Sequence, residues 1–247
     1  MTLAMKVKCE VISDVGLVRS NNEDMALLLG EKIRDSSLSI TCDLEPDNRF
    51  SAIVADGMGG YENGEVASQL AIDSFDSFLT QLPDGLSLND LIIKLKEWTR
   101  EINQSIIESG NGSGMGCTLC GIFTYQNEPY VVNIGDSRTY RYRYDFLKQI
   151  TTDHSERNRL GDESIPSNII YNALGIPTAF IDVIKTKFVK NDKYIICSDG
   201  LSDMVDDDKI GAVMGSDHPT TRRLFDLAYQ AGAKDNVTII YLEILEM

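Results

Sequence analysis

Nine short runs rich in β-branched and aromatic residues are spread along the chain, and their order limits the fold more than any other feature. They are VKCEVIS (7–13), MALLL (25–29), FSAIVA (50–55), CTLCGIFTY (117–125), PYVVNI (129–134), TYRYRY (139–144), FIDVIKTKF (180–188), KYIICS (193–198) and NVTIIYLEIL (236–245). Such runs, bounded by turn-forming residues, read as strands. Helical spacing interrupts them with a pair. Val66, Leu70, Phe75 and Phe78 give a rough stripe over 65–79. Leu88, Leu91, Ile92, Leu95, Trp98, Ile102 and Ile106 give a cleaner one over 88–107, with Ser87 and Asp90 spaced as a capping box. A third helix is predicted over 220–231, stopped by Gly232. Strands in runs with two helices inserted together predict an α+β sheet protein, not an alternating parallel one. Residues 155–175 show no clear period and read as a mobile segment over a site. With no repeat or linker in sight, residues 1–247 are expected to form one domain.

Charge narrows the partners. Acidic residues outnumber basic ones 38 to 23, a formal charge of −15. A field of that sign repels nucleic acid and anionic membrane and attracts metal cations. No apolar run approaches the roughly 20 residues that span a bilayer, and MTLAMKVKCE lacks the apolar stretch of a secretory signal. A cytoplasmic protein is expected. The five cysteines are an odd number and lie mostly in apolar runs, which predicts free buried thiols. Cys117 and Cys120 are three apart, so a strand turns them to opposite faces, where they cannot share an ion or a disulfide.

Four apolar runs meet an aspartate at one end. IVADG ends in Asp56, IICSDG in Asp199, VVNIGDSR carries Asp136 after a glycine, and AKDNVTIIYL places Asp235 just before a strand. Any one of these alone is most economically a turn. Together they suggest carboxylates gathered at the rim of a sheet, where they repel one another unless a cation neutralises them. Oxygen-only ligands suit Mg²⁺ or Mn²⁺, whereas zinc sites draw on Cys and His. Nucleophilic hydrolase and nucleotide-binding signatures are missing: there is no G-x-S-x-G and no G-x-x-x-x-G-K-[ST]. The glycines of GNGSGMG (110–116) read as a tight entry to the next strand. Arg19, in DVGLVRSNNED (14–24), has the planar fork that matches phosphate oxygens, and Glu23 and Asp24 follow within reach of the same rim.

Eight motifs occur in one order: DVGLVRSNNED, VADGMGGYENGEVAS, GMGCTL, NIGDSRTYRYR, TTDHS, NALG, CSDGLSDMV and KDNVTII. In order and rough spacing the chain resembles the metal-dependent PP2C-type (PPM) protein serine/threonine phosphatases, of bacterial type, from about residue 9 to 244. The resemblance implies a four-layer αββα sandwich with two central antiparallel sheets and a metal site at one end. It implies two or three Mn²⁺ or Mg²⁺ ions. Asp56 would bridge two of them, with the Gly57 carbonyl, Asp199 and Asp235 as further ligands and Glu23 acting through water; Asp136 would join Asp199 at a third ion, and Arg19 would bind the substrate phosphate. The implied reaction is direct attack of a metal-bridging hydroxide on phosphoserine or phosphothreonine. Implied partners are phosphorylated Ser/Thr proteins, a cognate Ser/Thr kinase among them, for a monomer that binds neither nucleic acid nor membrane.

Two departures stand out. Met58 occupies the position where many eukaryotic members have a histidine proposed as general acid, so no side chain is assigned that role, and the segment between TTDHS and NALG is shorter than the usual bacterial flap. His154 reads as structural. The competing readings are a catalytically weak regulatory or binding module of the same fold, which should have lost a ligand, and a small-molecule phosphomonoesterase.

Overall fold

The structure, a computed structural model, describes residues 5–45, 49–59, 63–112 and 114–246. Residues 60–62 of VADGMGGYENGEVAS and residue 113 of the glycine cluster lie outside that set. In chain order the elements are β1 (Met5–Asp14), β2 (Met25–Leu28), β3 (Glu31–Ile33), β4 (Ser36–Leu44), β5 (Ser51–Ala55), β6 (Gly57–Met58), α1 (Gly64–Gln81), α2 (Leu88–Gly110), β7 (Gly116–Cys117), β8 (Leu119–Tyr125), β9 (Glu128–Ile134) and β10 (Arg138–Arg143). There follow β11 (Phe146–Gln149), α3 (Glu156–Leu160), β12 (Asp182–Lys185), β13 (Lys193–Cys197), α4 (Asp199–Ser202), α5 (Asp207–Met214), α6 (Thr221–Gln230) and β14 (Val237–Glu246).

Two six-stranded sheets carry the fold, ordered β11-β10-β13-β14-β1-β4 and β12-β9-β8-β5-β2-β3, and β6 pairs with β7 in a small ribbon. Every pairing is antiparallel. The period of two along each strand sorts side chains into three cores. In β5, Ile53 and Ala55 face the core shared with α1 and α2, while Ala52 and Val54 face the core between the sheets. In β14, Ile240, Leu242 and Ile244 enter that same middle core, and Val237, Ile239 and Tyr241 enter a third one under α5 and α6. Both sheets are thus covered on both faces, and the layers run helix, sheet, sheet, helix. Cys117 lies in the helix-side core and Cys120 in the middle one, on opposite faces as expected, and all five cysteines are free.

Three findings depart from the sequence reading. The α1 face is rotated: Ala67, Ala71, Ile72, Phe75 and Leu79 are buried, whereas Val66 is exposed. Small residues let the helix sit close to the sheet, and a pattern scored on large residues misses them. The segment 155–175 is folded in part, since Ser155 caps α3 and Cys117 bridges Leu174. β3, β4, β11, α4 and α5 were not foreseen. Ser87 caps α2 as expected: its hydroxyl accepts the Asp90 N–H at 3.2 Å, and the Asp90 carboxylate accepts from that hydroxyl at 2.7 Å. Among the described residues no helix is long and apolar enough to cross a membrane.

Candidate metal centre

Strand register gathers the aspartates. Met25 pairs with Ala55, Val54 with Cys120 and Leu119 with Ile134, so the start of β2 and the ends of β5 and β9 share one rim. Cys197 pairs with Ile239 and Asp14 with Val237, which puts the end of β13 and the start of β14 at one rim of the other sheet. The two rims meet where Ser198 Oγ donates to Asp24 Oδ2 at 2.8 Å. Asp56, Asp136, Asp199 and Asp235, together with Glu23 and Asp24, therefore stand at one end of the sandwich.

Asp56 follows β5, and its backbone is fixed by Thr118. The Asp56 N–H donates to Thr118 Oγ1 at 3.1 Å, and the Thr118 N–H donates to the Asp56 carbonyl at 2.8 Å. Gly57 then passes through a gap closed to any side chain: a Cβ there would lie 2.3 Å from the Gly64 carbonyl oxygen and 2.5 Å from that of Glu23. Only glycine lets the β5 exit, the start of α1 and the Glu23 loop converge. The Glu23 carboxylate accepts the Gly64 N–H at the N-terminus of α1. Asp199 opens α4 directly after Ser198, and Asp203 lies one turn on, its N–H donating to the Asp199 carbonyl at 2.8 Å.

The electrostatics follow from the crowding. Asp56, Asp136, Asp199 and Asp235 are half-buried and Asp24 is fully buried. Desolvation, and then the fields of Asp24, Asp199, Asp136 and Asp235, push Asp56 well above the usual carboxylate range. Asp199 is raised in the same way by desolvation and then by Asp136, Asp235, Asp203 and Asp24. Desolvation, followed by the charge of Asp153, raises Asp136 to about 6; desolvation also raises Asp24 to about 6 against the hydrogen bonds it accepts from Thr238 and Ser198. Among the described residues Asp24 Oδ1 is buried with no hydrogen-bond partner, an acceptor of the kind that costs about 1–3 kcal/mol to leave unmet. Among the described residues no three His, Cys, Asp or Glu side chains already close on a common point. A rim of mutually repelling oxygens with an orphaned buried acceptor fits a hard divalent cation.

Arg19 is the one expected phosphate ligand, and it stands at this rim as a counter-ion: its Nη2 donates to Asp235 Oδ2 at 2.6 Å. Its loop is held by Asn236, which the sequence reading left out. The Asn236 Oδ1 accepts the Glu23 N–H at 2.8 Å, and its Nδ2 donates to the carbonyls of Val15 and Asn21 at 3.0 and 2.9 Å. Ser198, Thr118 and Asp203 were missed likewise. Only Asp203 left a signal in the sequence, its i, i+4 spacing from Asp199. His154 is 2% exposed; its Nδ1 accepts the Gly135 N–H at 3.0 Å, and its Nε2 lies 3.1 Å from Asp182 Oδ2. It braces the turn that carries Asp136, as a structural histidine would. Met58 pairs with Gly116 in the small ribbon and brings no acid to the rim.

A sequence profile of the family described as protein phosphatase 2C matches residues 34–237. Over 252 residues the chain is 29% identical to the serine/threonine phosphatase stp of Listeria monocytogenes, covering 95% of this chain and 94% of that one. It is 34% identical to the serine/threonine protein phosphatase PstP of Mycobacterium tuberculosis, covering 95% of this chain and 44% of that longer protein. A solved structure of the catalytic domain of PstP in complex with two manganese ions superimposes with a TM-score of 0.76 at 31% identity, over 98% of this chain and all of that one. From a profile match across most of its length and a shared sandwich, this chain belongs to the protein phosphatase 2C family.

Proposed function

We propose that residues 1–247 form a single Mn²⁺- or Mg²⁺-dependent phosphatase domain that hydrolyses phosphoserine and phosphothreonine in proteins. The observation that carries this is the mutual charge of Asp56, Asp136, Asp199 and Asp235 at one rim, a repulsion that a pair of divalent cations relieves. Asp56, the Gly57 carbonyl, Asp199 and Asp235 would hold two ions, Glu23 would act through water, and Asp136 with Asp199 would hold a third. Bound there, the ions supply an acidified water for direct attack on phosphorus and offset charge on the phosphate oxygens.

The chain's own residues do the rest. Thr118 fixes the backbone that carries Asp56, and Gly57 lets that backbone pass close to Gly64 and Glu23. Asn236 sets the Arg19 loop against the start of β14. Arg19, paired with Asp235, carries a guanidinium fork that would take two phosphate oxygens and orient the ester. No covalent phosphoenzyme is required, in keeping with the missing nucleophile motifs. The family likeness also supports a monomer acting in the cytoplasm, with a cognate Ser/Thr kinase among its substrates.

The test is hydrolysis of phosphoserine, phosphothreonine and phosphotyrosine peptides with Mn²⁺ and after EDTA. Release of phosphate from the first two with Mn²⁺ only is expected. Metal-independent release, or activity confined to phosphotyrosine, would contradict the reading.

A further inference from the structure

Leu17 and Val18, directly before Arg19, are 62% and 67% exposed and belong to none of the three cores. Single exposed aliphatic residues are ordinary, and at a loose loop tip a pair would also be unremarkable. Here the backbone beneath them is fixed. Gly16 has φ +78°, and a Cβ on it would fall 2.3 Å from the Asp235 carbonyl oxygen and 2.9 Å from that of Ala233. The Leu17 N–H donates to the Ala233 carbonyl at 2.9 Å, and Asn236 ties the loop on both sides through Val15 and Asn21. The loop is therefore pinned to the segment leading into β14, whose Asp235 also receives Arg19. A backbone pinned beneath two apolar side chains has already lost the loop freedom that a binding partner would otherwise have to remove.

We propose that Leu17 and Val18 form the contact surface for the residues on either side of the phosphorylated Ser or Thr, and that this surface favours apolar residues there. The proposal rests on the phosphatase reading, in which Arg19 takes the phosphate. Successive residues of an extended peptide lie about 3.5 Å apart. A phosphate fixed on Arg19 thus brings its flanking residues within reach of the side chains one and two positions earlier in the loop. The acidic carboxylates of the rim offer no apolar surface for those residues, whereas this pair does.

Two phosphothreonine peptides that differ only in carrying leucine or glycine on both sides of the phosphoresidue test it, with kcat/KM measured in Mn²⁺. The wild-type protein is expected to prefer the leucine-flanked peptide by about tenfold. The L17S/V18S protein should bring that ratio near unity, and the L17M/V18I protein should keep it; circular dichroism confirms that each is folded. A wild-type ratio of one, or a ratio untouched by L17S/V18S, overturns the proposal while leaving the phosphatase reading intact. A wild-type dimer that dissociates in L17S/V18S, with equal rates on both peptides, assigns the surface to a second copy and overturns it too. A wild-type protein that cleaves neither peptide overturns the phosphatase reading and this proposal with it.

Discussion

Titrating the metal-free protein tests the carboxylate rim without any substrate. Asp136 is held at about 6, against 3.8 for a free aspartate, by desolvation and then by Asp153. A carboxyl raised in the folded state binds its proton more tightly there than in the unfolded chain. Its stabilising contribution is therefore fully present below the unfolded value and is lost as pH rises through the folded one. Between pH 5 and pH 7.5 the linkage relation with these two values gives a loss of about 1.4 kcal/mol from Asp136 alone. Asp24, Asp56 and Asp199 are raised as well, so they add in the same direction. Urea unfolding of EDTA-treated protein should show lower stability at pH 7.5 than at pH 5 by at least that amount. The Asp136→Asn protein should show a pH difference smaller by about 1.4 kcal/mol. Added Mn²⁺ should stabilise more at pH 7.5, where the carboxylates are ionised and the ion does not compete with protons. Metal-free protein that is as stable at pH 7.5 as at pH 5, or an Asp136→Asn protein with the wild-type pH difference, would show that the folded rim does not raise Asp136.

Other consequences follow from the same geometry. Asp199→Ala and Asp235→Ala should each abolish Mn²⁺-dependent hydrolysis of an aryl phosphate, measured as phosphate release, and full activity in either would remove that residue from the metal centre. Arg19→Ala should raise KM for a phosphopeptide far more than it lowers kcat, as loss of a charge-assisted contact costs about 1.5–3 kcal/mol; unchanged constants would return Arg19 to an ion pair with Asp235 and nothing more. Asn236→Ala removes three hydrogen bonds to the loop. Hydrogen exchange should then speed up across residues 15–24, and an unaltered exchange pattern there would show that something else holds the loop. Burial raises the thiols of Cys9, Cys117, Cys120 and Cys197. In the native state a thiol reagent should modify half-buried Cys42 at most, with all five cysteines reacting only after unfolding.

The central strands were legible because they are buried on both faces and so read as near-continuous apolar runs. β5, β8, β9, β13 and β14 coincide with apolar runs to within a residue or two. β4 was missed although it left a signal: in SSLSITCDL, Leu38, Ile40, Cys42 and Leu44 alternate with polar residues, and Leu38, Cys42 and Leu44 pack on the middle core, but no long apolar run marks this mostly exposed edge strand. β11, another edge strand, is four residues long with only Leu147 packed on a core, too short to show a period. At the rim, the aspartates could be found because each marks the end of an apolar run. The residues that hold them could not. Thr118, Ser198 and Asn236 act through hydrogen bonds between distant segments, and no spacing in one chain encodes a bond such as that from Ser198 to Asp24. The same limit explains Arg19: its chemistry was readable, but its ion pair with Asp235, across 216 residues, was not.

If this rim of carboxylates is a divalent-cation site, Mn²⁺ must bind to it and depend on Asp56. Calorimetric titration of EDTA-treated protein with Mn²⁺ at pH 7.5, in wild-type and Asp56→Asn forms, measures both. The wild type should bind at least two ions, and Asp56→Asn should lose both high-affinity ions. Mn²⁺ binding that is absent from the wild type, or that survives unchanged in Asp56→Asn, would contradict it.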